Sequence, residues 1–256
     1  ELGAIGHGWT YSAHPICAAA GVANLELIDE LGLVENAGTT GAYFRCELAK
    51  AVGDHPNVGE VRGDATGVVL TGITLATADL RAGEAFVAIR GVNRHGAEFG
   101  AAVAEAGAVA IVTDAAGADI AADAGVPIVV VDNPRALLGE LSAWVYDTAE
   151  NVPVLLATTG TNGKTSVSHL LEGILGQLGV VTGLSSTAER HIAGEIIVSR
   201  LTTPEASEFH ALLALMRERG VEAVAVEVSA QALSRHRVDG IVFDVAGFTN
   251  LTHDHL

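Results

Sequence analysis

The chain has 256 residues, 49% of them hydrophobic and 18% charged, and its formal net charge is −17 at pH 7. This composition is typical of a folded globular protein and excludes a disordered chain. The strong acidity argues against nucleic acid or an anionic membrane surface as a partner, because binding to either requires a basic face.

Targeting and redox signals are weak. The first fifteen residues have no basic start and no continuous apolar run, so we expect no signal peptide and no membrane-spanning segment. Cys17 and Cys46 lack metal-ligand spacing and are interpreted as apolar fillers in a reducing cytosol. We therefore expect a cytoplasmic protein. Because the chain starts on Glu1 and stops on Leu256, directly after a charged motif, we also expect it to be cut at both ends.

Residues 1–63 are predicted to be mainly helical. The segment opens with HGWTYSAHP, continues with two helical patterns that end near Val52, and closes on HPNVGEVRG. These runs resemble the class III, pyridoxal-phosphate-dependent aminotransferases in the region after their active-site lysine. The resemblance implies that Thr10 contacts a cofactor phosphate. The Schiff-base lysine of that family has no match in this chain, so transamination is not expected.

Residues 64–150 predict a small α/β domain. Strands are expected at 67–75, 85–89, 108–112 and 126–131, with a helix over 97–106. Asp132-Asn133-Pro134-Arg135 predicts the cap of a helix that reaches about Thr148, since proline suits the first helical position. A short hinge-like break follows at Asn151-Val152-Pro153.

Residues 151–256 predict a parallel sheet that binds a nucleotide. The apolar run 154–157 leads into a glycine-bearing turn, and a helical pattern follows it as far as Gly179. The remaining predicted elements are a strand near 180–183, a hairpin at 188–200, a helix at about 205–219 and strands at 223–229 and 243–250. Because parallel strands end at one edge of their sheet, we expect ligand-binding groups to gather there.

The glycine-bearing turn carries the strongest chemical signal. Gly160 and Gly163 allow backbone N–H groups to converge on phosphate oxygens, and the helix start adds free N–H groups and the positive end of the helix dipole. Lys164 is expected to neutralise the β- and γ-phosphates, and Thr165 to ligate Mg²⁺. Thr158 stands where the commonest P-loop has its first glycine. The turn is predicted to bind ATP or GTP.

Further polar residues follow the predicted strands. Glu227 ends an apolar strand and is interpreted as a Mg²⁺ ligand or a water-positioning residue. His253-Asp254-His255 is a weak metal signal alone, and its expected place at the same sheet edge strengthens it. Hydroxyls and cations for an anionic acceptor near the γ-phosphate are offered by Thr202, Thr203, Arg235 and Arg237.

Four motifs in this order, TGTNGKTS, TTPEA, EVSAQALSRHRVDG and FTNLTHDHL, resemble the Mur ligases of peptidoglycan synthesis, most closely the MurE type. The resemblance spans about residues 64–256. It implies an ATP- and Mg²⁺-dependent ligase that adds a diamino acid to UDP-MurNAc-L-Ala-D-Glu through an acyl phosphate. It also implies that the family's carbamylated lysine and third domain would follow Leu256.

The resemblance implies roles for individual residues. The catalytic residues would be Lys164, Glu227 and His255, and the magnesium ligands Thr165, Glu227 and His255. Nucleotide would be bound by Gly160, Thr161, Asn162, Gly163, Lys164, Thr165 and Ser166. The muramoyl-dipeptide end of the substrate would contact Thr202, Thr203, Ser229, Arg235 and Arg237. Its UDP end would contact Leu75, Thr77, Val92, Asn93 and Arg94, although Leu75-Ala76-Thr77-Ala78 departs from the family's usual Leu-Asp-Ser-Arg.

We therefore interpret the chain as an α/β protein in three pieces. These are an aminotransferase-like fragment at 1–63, a Mur N-terminal domain at 64–150 and an incomplete Mur ATPase domain at 151–256, an apparent chimera joined at 59–64. The alternatives are an aminotransferase fragment and a non-catalytic nucleotide-binding chimera. The expected partners are small-molecule substrates, without nucleic acid or membrane insertion. The diamino acid, the activity of this piece and the oligomeric state stay open.

Overall fold

A computed structural model of the protein describes residues 58–62, 68–198 and 201–252, the first of these by its backbone only. The chain divides into two compact units, Glu1–Val52 with Asp64–Val68 and Gly53–Gly63 with Val69–Leu256. All the described helices and strands lie in the second unit. The helical pattern predicted within 1–63 lies outside the described residues.

The first sheet has five strands in the order β1-β5-β4-β3-β2. They are β1 (Val58–Arg62), β2 (Gly72–Thr74), β3 (Glu84–Ala88), β4 (Ala110–Thr113) and β5 (Ile128–Val131). Strands β2 to β5 are parallel, whereas β1 runs antiparallel to β5 with Arg62 opposite Ile128. β1 precedes the boundary predicted at residue 64, so this sheet includes a segment that was predicted to belong to the preceding piece.

Helices cover both faces of this sheet. They are a 3₁₀ turn (Gly96–Phe99), α1 (Gly100–Glu105), α2 (Ala115–Ile120) and α3 (Pro134–Val145). Asn133 Oδ1 accepts a hydrogen bond from the Ala136 N–H (3.1 Å) and Pro134 occupies the first turn of α3, which confirms the predicted cap. On one face the buried Leu137 and Leu138 of α3 pack against the sheet, and on the other a separate core surrounds Phe86.

The second sheet has six strands in the order β11-β6-β10-β7-β8-β9. They are β6 (Val154–Thr159), β7 (Thr182–Ser185), β8 (Glu189–Ile192), β9 (Glu195–Val198), β10 (Ala223–Glu227) and β11 (Val245–Phe248). Strands β11, β6, β10 and β7 are parallel. β8 and β9 form the predicted hairpin, whose turn places Ala193 and Gly194 at positive φ (48° and 88°) as tight hairpin turns require.

Three described helices accompany the second sheet: α4 (Lys164–Gln177), α5 (Ala206–Glu218) and α6 (Ala230–Ser234). α5 supplies the buried Phe209, Leu213 and Met216 to the core of this sheet. The helical pattern predicted as far as Gly179 forms α4, whose apolar side chains are only partly buried, since Leu170 and Leu178 are exposed. Within the part of the chain that the structure describes, no helix combines the length and the apolar run needed to cross a bilayer.

The segment between the two sheets is fastened to α5. The Arg217 guanidinium donates hydrogen bonds to the carbonyls of Tyr146 (3.3 Å), Asp147 and Asn151 (2.9 Å). The buried His210 also contacts the Thr148 hydroxyl through Nδ1 (2.6 Å). The predicted hinge-like break at 151–153 is irregular backbone, and the carbonyls of Asp147 and Asn151 accept hydrogen bonds from Arg217 of α5.

Candidate nucleotide-binding site

A glycine loop joins the carboxyl end of β6 to α4, as predicted. Gly160 has φ 125° and Gly163, the N-cap of α4, has φ 85°, both in the region that favours glycine. A Cβ at Gly160 would lie 2.3 Å from Thr249 Oγ1, so a side chain does not fit there. Thr158, in place of the first glycine of the common pattern, is a buried residue of β6 and lies before the loop.

The chain after β11 braces this loop. The Thr161 N–H donates to the Asn250 carbonyl (2.8 Å), and the Asn162 N–H donates to Asn250 Oδ1 (3.1 Å). The Thr249 hydroxyl donates to the Asn162 carbonyl over 2.7 Å. Thr249 and Asn250 end the predicted strand 243–250, and no role was predicted for them. Their position at the carboxyl edge of a parallel strand is the signal that identifies them.

The first turn of α4 is left open to an anion. Gly163 supplies no capping side chain, so no side chain occupies the free N–H groups of that turn. Lys164, the first helical residue, donates through Nζ to the carbonyls of Gly160 (2.8 Å) and Thr161 (2.9 Å). The Lys164 ammonium therefore lies against the loop. These two bonds use two of its three N–H donors. Ser166 is exposed one residue beyond Thr165.

Glu227 lies opposite this turn at the end of β10 and is 2% exposed. Its Oε2 accepts hydrogen bonds from the Thr165 hydroxyl (3.0 Å), the Thr187 N–H (2.9 Å) and the Thr187 hydroxyl (2.9 Å). Parallel pairing of β10 with β6 sets Glu227 beside Thr158, so both strand ends reach the same edge. The structure thereby joins Thr165 and Glu227, two residues predicted to share a site.

Thr187 is a site residue that the sequence analysis missed. Its hydroxyl lies 3.0 Å from the Thr202 hydroxyl and 2.9 Å from Glu227 Oε2. A hydroxyl has one proton and a carboxylate only accepts, so Thr187 donates to Glu227 and accepts from Thr202. Thr187 follows β7 by two residues, the same strand-end position that singled out Glu227. It connects Glu227, at the end of β10, to the TTPEA segment.

The predicted dipeptide-binding residues surround the end of β10. The buried Thr203 hydroxyl donates to the Glu227 carbonyl (3.0 Å) and accepts from the Ser229 N–H (3.1 Å). Ser229 Oγ accepts from the Ala232 N–H and caps α6. Arg237 donates to the Thr203 carbonyl (3.3 Å), while the side chain of Arg235 is exposed. The structure therefore brings Thr202, Thr203, Ser229 and Arg237 together and leaves Arg235 at the rim.

The predicted UDP-binding residues are only partly grouped. A cleft of about 340 Å³ in the first α/β part is lined by Leu75, Thr77 and Arg94, with Phe86 and Phe99. Arg94 also lies over the Phe99 ring, 5.2 Å from its centroid. Val92 and Asn93 are exposed on the same loop and do not line the cleft. Phe99 offers an apolar face that sequence reasoning did not single out.

The donors near Glu227 suit a hard divalent cation. Glu227 is a buried carboxylate that has no ion-pair partner within the described ranges, and burying an uncompensated charge is costly. With the Thr165 hydroxyl it supplies the oxygen ligands that Mg²⁺ prefers. No group of three or more His, Cys, Asp or Glu side chains in 68–198 and 201–252 is arranged to hold a metal. His255, the third predicted ligand, lies outside the described residues.

Two family matches cover these sites. Residues 69–146 match the catalytic domain of the Mur ligase family, and residues 158–256 match the Mur ligase middle domain. Both matches begin after residue 68, so they do not bear on the aminotransferase-like fragment predicted at the N-terminus.

Two similar proteins carry the names of a synthetase and a ligase. The chain is 63% identical over 197 residues to UDP-N-acetylmuramyl-tripeptide synthetase of Leifsonia xyli, covering 77% of this chain and 38% of that protein. It is 48% identical over 187 residues to UDP-N-acetylmuramoyl-L-alanyl-D-glutamate--2,6-diaminopimelate ligase of Streptomyces coelicolor, covering 73% and 37%. The chain thus spans less than two fifths of the length of these relatives.

The fold has a counterpart among solved structures. A structure of UDP-N-acetylmuramoyl-L-alanyl-D-glutamate--2,6-diaminopimelate ligase matches with a TM-score of 0.63 at 23% identity, covering 80% of this chain and 41% of that one. At this identity the likeness concerns the fold, and it confirms the predicted α/β class. The two domain matches and the identity to the named ligases lead to one assignment: residues 69–146 and 158–256 belong to the Mur ligase family.

Proposed function

We propose that this chain is the substrate- and phosphate-binding part of an ATP-dependent amide-bond ligase of peptidoglycan precursor synthesis. ATP would transfer its γ-phosphoryl group to the glutamyl carboxylate of UDP-MurNAc-L-Ala-D-Glu and leave as ADP. The amine of a diamino acid would then displace phosphate from the acyl phosphate and form the amide. The names of the relatives, a tripeptide synthetase and a diaminopimelate ligase, support this substrate class. The cytoplasmic location stays a prediction.

One observation carries the proposal: an uncapped helix start, with Lys164 and Thr165 in its first turn, faces the buried Glu227. Free N–H groups, a positive dipole end and an ammonium together favour a polyphosphate. Phosphoryl transfer depends mainly on positioning and on neutralising charge at the phosphate oxygens. These residues supply both at one edge of the sheet.

The same residues support a role for Mg²⁺. Thr165 Oγ1 and the Glu227 carboxylate would hold the ion, with His255 as the further ligand that the family resemblance implies. When bound, Mg²⁺ would neutralise charge on the phosphate oxygens. Lys164 would leave the carbonyls of Gly160 and Thr161 and turn its Nζ to the β- and γ-phosphates.

The two parts of the substrate would occupy two regions. The UDP end would lie in the cleft lined by Leu75, Thr77 and Arg94. The dipeptide end would lie near Thr202, Thr203 and Arg237, where hydroxyls and a guanidinium converge. We propose correspondingly that residues 64–150 form the UDP-substrate domain and residues 151–256 the nucleotide-binding domain. The strand β1 extends the first domain upstream, to Val58.

Calorimetric titration of the chain with Mg·ATP tests the proposal. The unaltered chain should bind, and Lys164→Ala should bind about 10- to 100-fold more weakly, the range for losing a charged hydrogen-bond partner. Arg219→Ala is the matched control, because this side chain is exposed (57%) at the opposite end of α5 from the site. Equal binding by the chain and Lys164→Ala, or no binding by either, would refute the phosphate site.

A further inference from the structure

Glu205 joins the two α/β parts through both of its carboxylate oxygens. Its Oε2 accepts from Arg135 Nη1 over 3.1 Å, and its Oε1 accepts from Arg237 Nη2 over 2.8 Å. Arg135 lies in the first turn of α3, against the first sheet, whereas Arg237 follows α6 beside the second. The side chain of Glu205 is 20% exposed, that of Arg135 31% and that of Arg237 11%. The bridge is therefore largely sheltered from solvent.

The Glu205 carboxylate binds the two arginines and does not cap its own helix. Glu205 is the N-cap residue of α5, where a side-chain oxygen commonly accepts a hydrogen bond from the first turn of the helix. No such bond is made, and α5 begins without a side-chain cap. Both oxygens are instead used by the two guanidinium groups.

Arg135 also holds the backbone next to Arg237. Its Nη1 donates to the Arg235 carbonyl over 3.3 Å, in addition to Glu205. One guanidinium group therefore fixes both the segment that ends the TTPEA motif and the segment that carries Arg237. These are the two segments proposed to bind the dipeptide end of the substrate.

The helix that presents Arg135 abuts the second part closely. A Cβ at Gly139 of α3 would lie 2.1 Å from the Asp239 carbonyl oxygen, and one at Gly240 would lie 2.7 Å from the Gly139 carbonyl oxygen. Backbone thus packs on backbone one turn after Arg135. This contact holds the backbone of α3 close to the loop that follows Arg237.

Arg237 retains a donor that the protein does not use. Its Nη2 binds Glu205, its Nη1 binds the Thr203 carbonyl, and its buried Nε has no hydrogen-bond partner. A buried N–H without an acceptor is unfavourable, and an anionic group satisfies it best. Because Arg135 occupies the other oxygen of Glu205, that carboxylate cannot turn both oxygens to Arg237 and fill this place.

We propose that Arg135 is a positioning residue for the peptidyl carboxylate of the substrate, acting through Glu205 on Arg237. The inference rests on the proposed function, since it takes the anion to be the dipeptide end of UDP-MurNAc-dipeptide. Without Arg135, Glu205 is free to bind Arg237 with both oxygens and to compete with the substrate. A residue of the UDP-binding part thereby sets the affinity of the site that binds the other end of the same molecule.

Separate calorimetric titrations with UDP-MurNAc-dipeptide and with UDP test this inference. Arg135→Ala should weaken binding of the nucleotide-dipeptide about tenfold and leave binding of UDP unchanged, because only the first ligand carries the peptidyl carboxylate. Arg135→Lys should give an intermediate loss, since an ammonium replaces the charge but not the planar fork. Arg219→Ala should change neither affinity.

The possible results distinguish a failure of the Arg135 inference from a failure of the proposed function. If Arg135→Ala weakens both ligands equally or neither, Arg135 has only a structural role or none, and the inference is wrong. If Arg135→Ala does not fold, the Arg135→Lys variant decides: a loss selective for the nucleotide-dipeptide supports the inference, and an unselective result refutes it. If the unaltered chain binds the nucleotide-dipeptide no more tightly than UDP, the proposed function fails first, and the inference falls with it.

Discussion

The Thr165 hydroxyl donates a hydrogen bond to Glu227 over 3.0 Å, from the first turn of α4 to the end of β10. The contact joins residues 62 positions apart in the chain at the edge where the two strands end together. The hydroxyl and the buried carboxylate thus place oxygen atoms close together at the start of α4.

Glu227→Gln should reduce the effect of Mg²⁺ on ATP binding. The amide oxygen can still accept the three hydrogen bonds now made to Oε2, but the charge that attracts a cation is lost. Calorimetry should show Mg·ATP affinity falling about tenfold while binding of ATP in EDTA is unchanged or tighter. Glu222→Gln, exposed at the other end of β10, is the control. Parallel losses with and without Mg²⁺ would contradict the role given to Glu227.

Thr187→Val should weaken the link between Glu227 and the TTPEA segment. Valine keeps the shape of threonine but removes the hydroxyl that donates to Glu227 and accepts from Thr202. Glu227 keeps its bonds from the Thr165 hydroxyl and the Thr187 N–H. The loss of one hydrogen bond to a carboxylate should lower the free energy of unfolding by about 1–3 kcal/mol. Mg·ATP affinity should fall as well. Thr187→Ser keeps a hydroxyl and should retain most of the stability and most of the Mg·ATP affinity. If Thr187→Val changes neither quantity, the hydroxyl is dispensable.

Gly139→Ala should destabilise the protein even though alanine is the better helix former. The new Cβ would meet the Asp239 carbonyl at 2.1 Å, and backbone cannot move aside cheaply. We expect a loss of about 1–3 kcal/mol in the free energy of unfolding, measured with denaturant. Gly173→Ala in α4, where a Cβ meets nothing within 4 Å, should instead stabilise by up to about 1 kcal/mol. A Gly139→Ala variant as stable as the unaltered protein, or more stable, would contradict the close contact.

His210 should make the protein less stable in mild acid. Burial lowers the pKa of His210 below its usual 6.5, although the hydrogen bond to the Asp239 carbonyl opposes that shift. Below about pH 6.5 the unfolded chain therefore binds a proton that the folded chain resists, so stability falls as the pH drops, by at most about 1.4 kcal/mol per pH unit. His210→Gln should flatten the slope between pH 7.5 and 5.5 in denaturant titrations. An unchanged slope would exclude His210 as its source.

The elements nearest to the proposed phosphate site could be predicted because their signals are local. The apolar run 154–157, the glycines and the apolar spacing to Leu178 lie within one strand-loop-helix unit, and β6 and α4 follow them closely. The short α2 escaped prediction, since its six residues carry no clear periodicity and only Asp114, its cap, marks its start. The strand predicted over 67–75 is limited to Gly72–Thr74.

Contacts between distant segments could not be predicted. Thr187 was given no role, because its partner Glu227 is 40 residues away and nothing in the local pattern pairs them. Arg135 was interpreted only as part of a helix cap, although its main partner, Glu205, lies 70 residues further on. Such pairings depend on strand order and helix packing, which the spacing of apolar residues does not specify.

The antiparallel pairing of β1 with β5 has a practical consequence for expressing this α/β part. With β1 in place, the backbone N–H and C=O groups along one side of β5 are satisfied within the chain. A recombinant version that starts at residue 64 would expose that side of a short, valine-rich strand, and exposed strand edges pair readily with other molecules. Self-association and poor solubility are the expected results, so a soluble fragment should begin upstream of Val58.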